Sequence, residues 1–127
     1  MGVYFMMNNN TMLKTMNNHS FVDIKKHMVD DKSIYDMAEV FKALNDPTRL
    51  KIINILIVSE LCVNDIANLL EISQPAISHH LKELRQLKLI KYHKKGRSVF
   101  YSLDDEHIHP LFQQCLEHVN ENTKSYC

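Results

Sequence analysis

The spacing of apolar residues predicts two consecutive helices in the first half of the chain. From Ser33 onwards, apolar residues recur three or four apart, and Ser33 followed by Asp36 is typical of a helix N-terminal cap. The apolar positions of this first helix are Ile34, Met37, Ala38, Phe41 and Leu44. Asp46 with Pro47 then predicts the start of a second helix. Its predicted buried side is Leu50, Ile53, Ile55, Leu56 and Ile57.

A tight turn joins the next two predicted helices. The first spans residues 63–70 and the second spans residues 74–87. Ser73 is the expected N-cap of the longer helix, and Pro75 lies in its first turn, where a missing N–H group costs no hydrogen bond. Because the second helix carries polar residues on its outer side, the pair indicates a helix-turn-helix.

A β-hairpin and a long final helix complete the predicted fold. Residues 89–94 and 98–103 are rich in strand-favouring side chains, and Gly96 supplies the turn between them. This hairpin, with its basic tip, is interpreted as a wing. The last helix is expected over residues 105–122, with a late regular start because of Pro110. The expected fold class is mainly α with a β-hairpin wing, a winged helix-turn-helix.

Three segments are expected along the chain. Residues 1–32, rich in Asn and Met, are interpreted as a flexible N-terminal arm with a short helix near residues 20–28. Residues 33–122 are expected to form the winged helix-turn-helix domain, which includes the long C-terminal helix. Residues 123–127 are a frayed tail.

The charges are separated along a chain whose formal net charge is zero. Residues 71–103 contain seven Lys or Arg and two acids, whereas residues 104–127 contain five acids and one Lys. A basic middle beside an acidic end is suited to phosphate contact in one place and cation binding in another.

The second helix of the helix-turn-helix is expected to enter the major groove of double-stranded DNA. The candidate contacts near its N-terminal half are Ser73, Gln74, Ser78 and His79. The candidate phosphate contacts, on the same helix and on the wing, are Lys82, Arg85, Lys94, Lys95 and Arg97. The alternative is an ordinary helical hairpin with a polar surface. His80 is expected either to contact DNA or to pack.

Four metal-capable residues near the C-terminus form two pairs. Asp105 and His107 precede His118 and Glu121 by about three helical turns, so the pairs share a face but lie about 16 Å apart along one helix. One ion holds its ligands at about 2 Å. A second, antiparallel copy can bring the pairs together, so the spacing predicts a homodimer with two symmetric zinc sites. The alternative is a helix start followed by a solvated face.

The three cysteines are odd in number and widely spaced, which argues against a disulfide framework and favours a reducing cytoplasm. Cys62 is interpreted either as a small buried hydrophobic residue at the start of a helix or, with Asp65 and His19 or His27 of the arm, as part of a second metal site. Four protein ligands would close a zinc site, and catalytic zinc keeps one position open. We therefore expect no enzyme, no small-molecule substrate and, lacking a long apolar stretch, no membrane association.

Residues 41–121 resemble the ArsR/SmtB family of metal-sensing bacterial repressors. The resemblance is carried by ALNDPTRL at residues 43–50, ELCVND at 60–65, SQPAISHHL at 73–81 and GRSVFYSL at 96–103. It implies a dimeric winged helix-turn-helix that represses metal efflux or sequestration genes from an imperfect palindrome and leaves DNA when metal binds. The zinc-responsive branch is similar in its pattern D-x-H-x10-H-x-x-[EH], which falls on Asp105, His107, His118 and Glu121.

The family's other metal site matches only in part. Cys62 and Asp65 fit its zinc version, and His19 lies where that version places an arm ligand. The cadmium/lead version has Cys where this chain has Asn64, and residues 1–61 lack cysteine, which argues against a soft-metal site. The resemblance thus implies Zn(II) as effector, with Co(II), Ni(II), Cd(II) or lead, or thiol oxidation at Cys62, as alternatives.

Overall fold

The computed structural model describes residues 20–125, with side chains described to residue 121. The chain divides into two compact units, Met1–Ala38 and Glu39–Cys127. His19, the predicted arm ligand, lies outside the described residues. In the first unit, α1 (Phe21–Lys26) confirms the short helix expected in the arm, and α2 (Asp31–Leu44) begins here and continues into the second unit.

Helix α2 begins at Asp31, three residues before the first helical residue that a Ser33 N-cap predicts. The Ser33 N–H donates to Asp30 Oδ2 at 3.0 Å, and the Ser33 hydroxyl donates to Asp30 Oδ1 at 2.8 Å. These bonds, first from the backbone N–H and then from the hydroxyl, lower the pKa of Asp30. The prediction of Ser33 as N-cap was therefore wrong, because the Asp30 carboxylate accepts the bonds at the helix start. Asp36, the expected capping partner, instead pairs with Lys32 at 2.8 Å.

The second unit holds the rest of the fold. After α2 the elements are α3 (Pro47–Val58), β1 (Leu61–Cys62), α4 (Val63–Leu70), α5 (Gln74–Gln86), β2 (Ile90–Lys95), β3 (Ser98–Leu103) and α6 (Ile108–Ser125). Helices α4 and α5 form the predicted helix-turn-helix, and the strands β2 and β3 form the predicted wing. The fold class, mainly α with a β-hairpin, is confirmed.

The helix starts follow from the capping residues that the sequence indicated. Asp46 Oδ2 accepts from the Arg49 N–H at 2.9 Å at the start of α3, with Pro47 as its first residue. Ser73 Oγ accepts from the Ala76 N–H at 3.3 Å at the start of α5. The turn between α4 and α5 passes through Glu71, which has a left-handed φ of 56°. Each cap satisfies an N–H group that the helix itself leaves unpaired.

The sheet has a strand that was not predicted. Its order is β1-β3-β2, and all neighbours are antiparallel. Gly96 opens the hairpin turn with a φ of 61°, a conformation that glycine adopts without strain. Strand β1 has only two residues, with Leu61 opposite Tyr101 and Cys62 opposite Phe100. Two residues are too few to show an alternating pattern, so only the fold reveals this strand.

The core lies where α3, α4, α5 and the sheet meet. The fully buried large side chains are Ile52, Ile53, Ile66, Ile77, Leu81, Leu84 and Ile90. On α3 the inward face differs from the predicted one: Leu50 is 41% exposed and Ile52 is buried. With about 100° between successive helix residues, Leu50 lies about 120° around the helix from Leu56, outside the buried face.

Several apolar residues are exposed on the single chain. On α2 these are Ile34, Met37 and Phe41, and on α6 they are Leu111, Leu116 and Val119. Cys115 of α6 is likewise exposed on one chain. Within residues 20–125, every helix is too short or too polar to cross a bilayer.

We expect Ile66→Ala to lower the free energy of unfolding by about 2–5 kcal/mol, because the substitution leaves a cavity at a fully buried position. Urea unfolding followed by circular dichroism measures the loss. Leu69→Ala on the same helix is the control, because Leu69 is 61% exposed, and we expect it to cost less than about 1 kcal/mol. Equal losses for the two variants would contradict this description of the core.

Candidate nucleic-acid and metal sites

The outer face of α5 carries the predicted groove-contacting residues. Ile77, Leu81 and Leu84 point into the core, and this leaves the opposite face of the helix in solvent. The exposed residues of that face include Ser78, His79, Lys82 and Arg85. They lie at helical spacing, so they form one continuous polar and basic strip along α5.

The first two predicted contacts of α5 have structural partners. Ser73 is the N-cap, as described above. Gln74 Nε2 donates to Asn64 Oδ1 of α4 at 2.7 Å, which links the two helices of the helix-turn-helix. The Gln74 amide retains a carbonyl oxygen and a second N–H for another partner. The contact of Asn64 with α5 could not be predicted from the sequence, because its partner Gln74 lies ten residues further along the chain.

The wing presents Lys94 and Arg97 in solvent at its tip. Lys95, the last residue of β2, is also exposed, with Nζ 3.7 Å from Glu60 Oε1 and 5.4 Å from the centre of the Phe100 ring. His93 Nε2 lies 3.5 Å from the same Glu60 oxygen. Glu60, which the sequence did not single out, therefore contacts two wing residues from the loop before β1.

Arg85 connects the end of α5 with the wing. Its guanidinium carbon lies 4.8 Å from the centre of the Tyr92 ring on β2, a cation–π geometry. The Tyr92 ring is in turn 6.0 Å from that of Tyr101 on β3. The strip on α5 and the hairpin are thus joined by side-chain contacts as well as by the chain.

Asp105 and His107 are brought together immediately before α6. Asp105 Oδ1 accepts from the His107 backbone N–H at 2.7 Å and lies 2.7 Å from His107 Nδ1. The backbone N–H, and then the imidazole, lower the pKa of Asp105. The carboxylate is therefore ionised at neutral pH. The regular helix begins at Ile108, so both side chains lie in the irregular start that Pro110 predicted.

His118 and Glu121 lie further along α6. They are ten and thirteen residues beyond Ile108, or about 15 and 20 Å along the helix axis. One α6 helix therefore holds the two pairs apart. Across residues 20–125 of a single chain, no three His, Cys, Asp or Glu residues are grouped so as to hold a metal ion.

Cys62 contacts Asp65 within the second unit. The half-buried thiol donates to Asp65 Oδ2 at 3.3 Å, across the first turn of α4. This brings together two of the three residues of the predicted second metal site. His27, the alternative arm ligand, has its Nδ1 2.9 Å from the Asp23 carbonyl oxygen in the first unit.

Comparison with known proteins gives a family. Residues 46–92 match the sequence model of a family described as bacterial regulatory protein, arsR family. These residues span α3, β1, α4, α5 and the beginning of β2. A cadmium resistance transcriptional regulatory protein CadC homolog of Staphylococcus aureus is 49% identical over 87 residues, 68% of this chain and 72% of the relative.

Two further similarities extend the comparison. A transcriptional repressor SmtB homolog of Synechocystis is 44% identical over 86 residues, 68% of this chain and 65% of that protein. A homodimeric winged helix-turn-helix DNA-binding domain of Mycobacterium bovis, a possible ArsR-family regulator, is similar in structure with a TM-score of 0.70. That alignment has 25% identity and covers 77% of this chain and 93% of the Mycobacterium domain.

Proposed function

The chain belongs to the ArsR family of bacterial regulatory proteins, and we propose that within this family it is a zinc-responsive transcriptional repressor. The metal-free homodimer binds operator DNA upstream of metal efflux or sequestration genes. Zn(II) binding at the C-terminal helices releases it. The family is one of DNA-binding regulators and not of enzymes, and the relatives described above are named for cadmium resistance and for transcriptional repression.

The DNA-binding part of the proposal rests on the exposed strip of α5 and the wing. Two copies of α5 would enter successive major grooves of an imperfect palindrome, as helix-turn-helix dimers do. Ser78 and His79 would face base edges with Ser73 and Gln74 at the helix start. The cations of α5 and of the wing would contact phosphates and fix the register: Lys82, Arg85, Lys94, Lys95 and Arg97.

The observation that carries the zinc proposal is the contact between Asp105 and His107. The two side chains lie 2.7 Å apart, and hydrogen bonds from the His107 backbone N–H and imidazole lower the pKa of the Asp105 carboxyl group. An ion bound by both needs two more ligands to complete a tetrahedral site. His118 and Glu121 of the partner, with an imidazole and a carboxylate, have the donor chemistry that zinc accepts.

A two-fold homodimer supplies those two ligands. The exposed apolar residues of α6, Leu111, Leu116 and Val119, are of the kind that a second copy covers. If two α6 helices run antiparallel, the early pair of each meets the late pair of the other. The two-fold axis then generates two identical zinc sites per dimer.

Zinc releases DNA only if it favours a dimer geometry that holds the two α5 helices out of register. By linkage, DNA then weakens zinc binding by the same factor that zinc weakens DNA binding. Regulatory couplings of this kind amount to roughly 5–150-fold in affinity. Zinc joins the α6 helices of the two chains, so it acts on the geometry of the dimer.

Cys62 and Asp65 are proposed as an auxiliary site, completed by His19 of the arm. Their contact at 3.3 Å supports a shared ion. Asn64, between them in sequence, bonds to Gln74 and supplies no thiolate, and this disfavours cadmium or lead at this site. Co(II), Ni(II) and Cd(II) are competitors for the α6 site. Thiol oxidation at Cys62 is the alternative signal if metals have no effect.

We expect zinc to weaken binding of the protein to its own upstream promoter DNA by roughly 5–150-fold, and a chelator to restore it. Fluorescence anisotropy measures the affinity. His107→Ala and Glu121→Gln should bind DNA as tightly as the unsubstituted protein when metal is absent, yet change by less than about twofold on adding zinc, because each removes one ligand.

His109→Ala is the matched control, because His109 is an exposed histidine near the start of α6 that lies off the proposed ligand face. It should retain the full response to zinc. Loss of metal-free DNA binding in His107→Ala, or a normal zinc response in both ligand variants, would refute the assignment. If zinc leaves the unsubstituted protein bound, other metals and then peroxide are tested on the same DNA.

We expect Lys94→Ala and Arg97→Ala each to make the salt dependence of DNA binding shallower by about 0.9 in the slope of log affinity against log salt concentration. Each substitution removes one phosphate contact from the exposed wing tip. Anisotropy titrations at four salt concentrations give the slope. Lys32→Ala is the control, because Lys32 pairs with Asp36 on α2. Unchanged slopes in both wing variants would show that the tip does not contact phosphate.

A further inference from the structure

We propose that Arg49 and His80 are positioning residues that set the orientation of α5 and hence the sequence specificity of DNA binding. The proposal rests on the DNA-binding part of the proposed function and is independent of zinc. Arg49 is neither a predicted DNA contact nor a predicted metal ligand. The sequence left His80 either to contact DNA or to pack, and its contact with Arg49 favours the packing role. Arg49 belongs to α3 and His80 to α5, so they lie 31 residues apart in sequence.

Arg49 connects three elements through hydrogen bonds. Its Nε donates to His80 Nδ1 at 3.0 Å, and one terminal nitrogen donates to the Ala43 carbonyl oxygen near the end of α2 at 3.3 Å. Its backbone N–H donates to the Asp46 cap of α3. Arg49 and His80 are both half-buried. The side chain of Arg49 therefore ties α5 to the corner between α2 and α3.

The direction of the hydrogen bond fixes the state of His80. Arginine only donates, so Nδ1 of His80 must be the acceptor, and the imidazole must be neutral with its proton on Nε2. A hydrogen bond from a charged guanidinium is stronger than one between neutral groups. A planar acceptor in a fixed position also constrains the direction from which Arg49 approaches.

A cavity of about 540 Å³ that is open to solvent lies beside this bond. It is lined by residues of α2, of the α2–α3 corner, of α3 and of the C-terminal half of α5, including Asp46, Arg49, Glu83 and Gln86. Apolar side chains fix helix orientation by close packing, but this side of α5 has polar walls and open space. We therefore assign the alignment of α5 on this side to the Arg49–His80 bond.

The bond lies next to the groove-contacting residues. His80 directly follows Ser78 and His79, which are exposed on the outer face of α5. Hydrogen bonds to base edges need accurate placement, whereas phosphate contacts depend mainly on charge. Loss of the bond should therefore reduce discrimination between DNA sequences and leave binding to unrelated DNA nearly unchanged.

The test compares binding to the promoter duplex and to a scrambled duplex of the same length, using metal-free full-length protein and fluorescence anisotropy. We expect Arg49→Ala and His80→Ala each to lower the ratio of the two affinities about tenfold, the effect of losing one hydrogen bond to a charged group. His80→Asn, whose side-chain oxygen takes the place of Nδ1, should retain the ratio within about twofold.

The double variant Arg49→Ala/His80→Ala should lose no more than either single variant, because both remove the same bond. Gln86→Ala is the control, since Gln86 lines the same cavity from α5 without contributing to this bond, and its ratio should not change. Circular dichroism and urea unfolding establish that each variant is folded, and His80→Asn carries the test if an alanine variant is not.

Three results would overturn the proposal: an unchanged ratio in both alanine variants, additive losses in the double variant, or a loss in His80→Asn equal to that in His80→Ala. Failure of the unsubstituted protein to prefer its promoter over the scrambled duplex is a separate result. It would refute the proposed DNA-binding function itself, before any variant is compared.

Discussion

The complete burial of Ile77, Leu81 and Leu84 on one side of α5 determines where every other functional residue lies. These side chains pack with Ile52 and Ile53 of α3 and with Ile66 of α4 in a single core. Removing this apolar surface from water is the main favourable contribution to folding. Because one face of α5 is held inward, its polar and basic residues must face solvent as a continuous strip.

The same core also reaches the residues proposed to bind zinc. Ile108, the first residue of α6, is buried in the cluster that contains Leu89 and Ile90. Just before it, the Asp104 N–H donates to the Leu89 carbonyl oxygen at 3.0 Å. The start of α6, with Asp105 and His107, is therefore fixed to the residue that precedes β2, the strand that follows α5. The far half of α6, with His118 and Glu121, extends about 15 Å or more from this attachment. An ion that joins the start of one α6 to the end of the partner's α6 would therefore change the relative orientation of the two chains.

Polar contacts at the margins of the core restrict the exposed residues of α5 and of the wing. Glu60 contacts His93 and Lys95 of the wing, Asn64 bonds to Gln74, and Arg49 bonds to His80. Surface ion pairs such as those of Glu60 contribute little to stability, but each contact restricts the orientation of a residue beside the strip. Arg49 differs from the others because it is half-buried and bonds to two elements besides its own helix.

The sequence by itself determined the order of the helices, the helix-turn-helix, the wing and the late start of α6. Apolar spacing and the residues Asp46, Ser73, Gly96 and Pro110 act over a few positions, and so they can be read locally. It also paired Asp105 with His107 and separated that pair from His118 and Glu121, because helix geometry converts spacing into distance.

Only the tertiary structure decided which face of α3 is buried and that Leu61 and Cys62 join the sheet. It alone also brought Glu60, Asn64 and Arg49 into contact with α5 or the wing. It also showed that Asp30, and not Ser33, accepts the hydrogen bonds at the start of α2. Most of these contacts join residues ten or more positions apart, and their partners become neighbours only when the core closes. The neighbouring residues in sequence do not identify such a distant partner, because tertiary packing and not local propensity brings the two residues into contact.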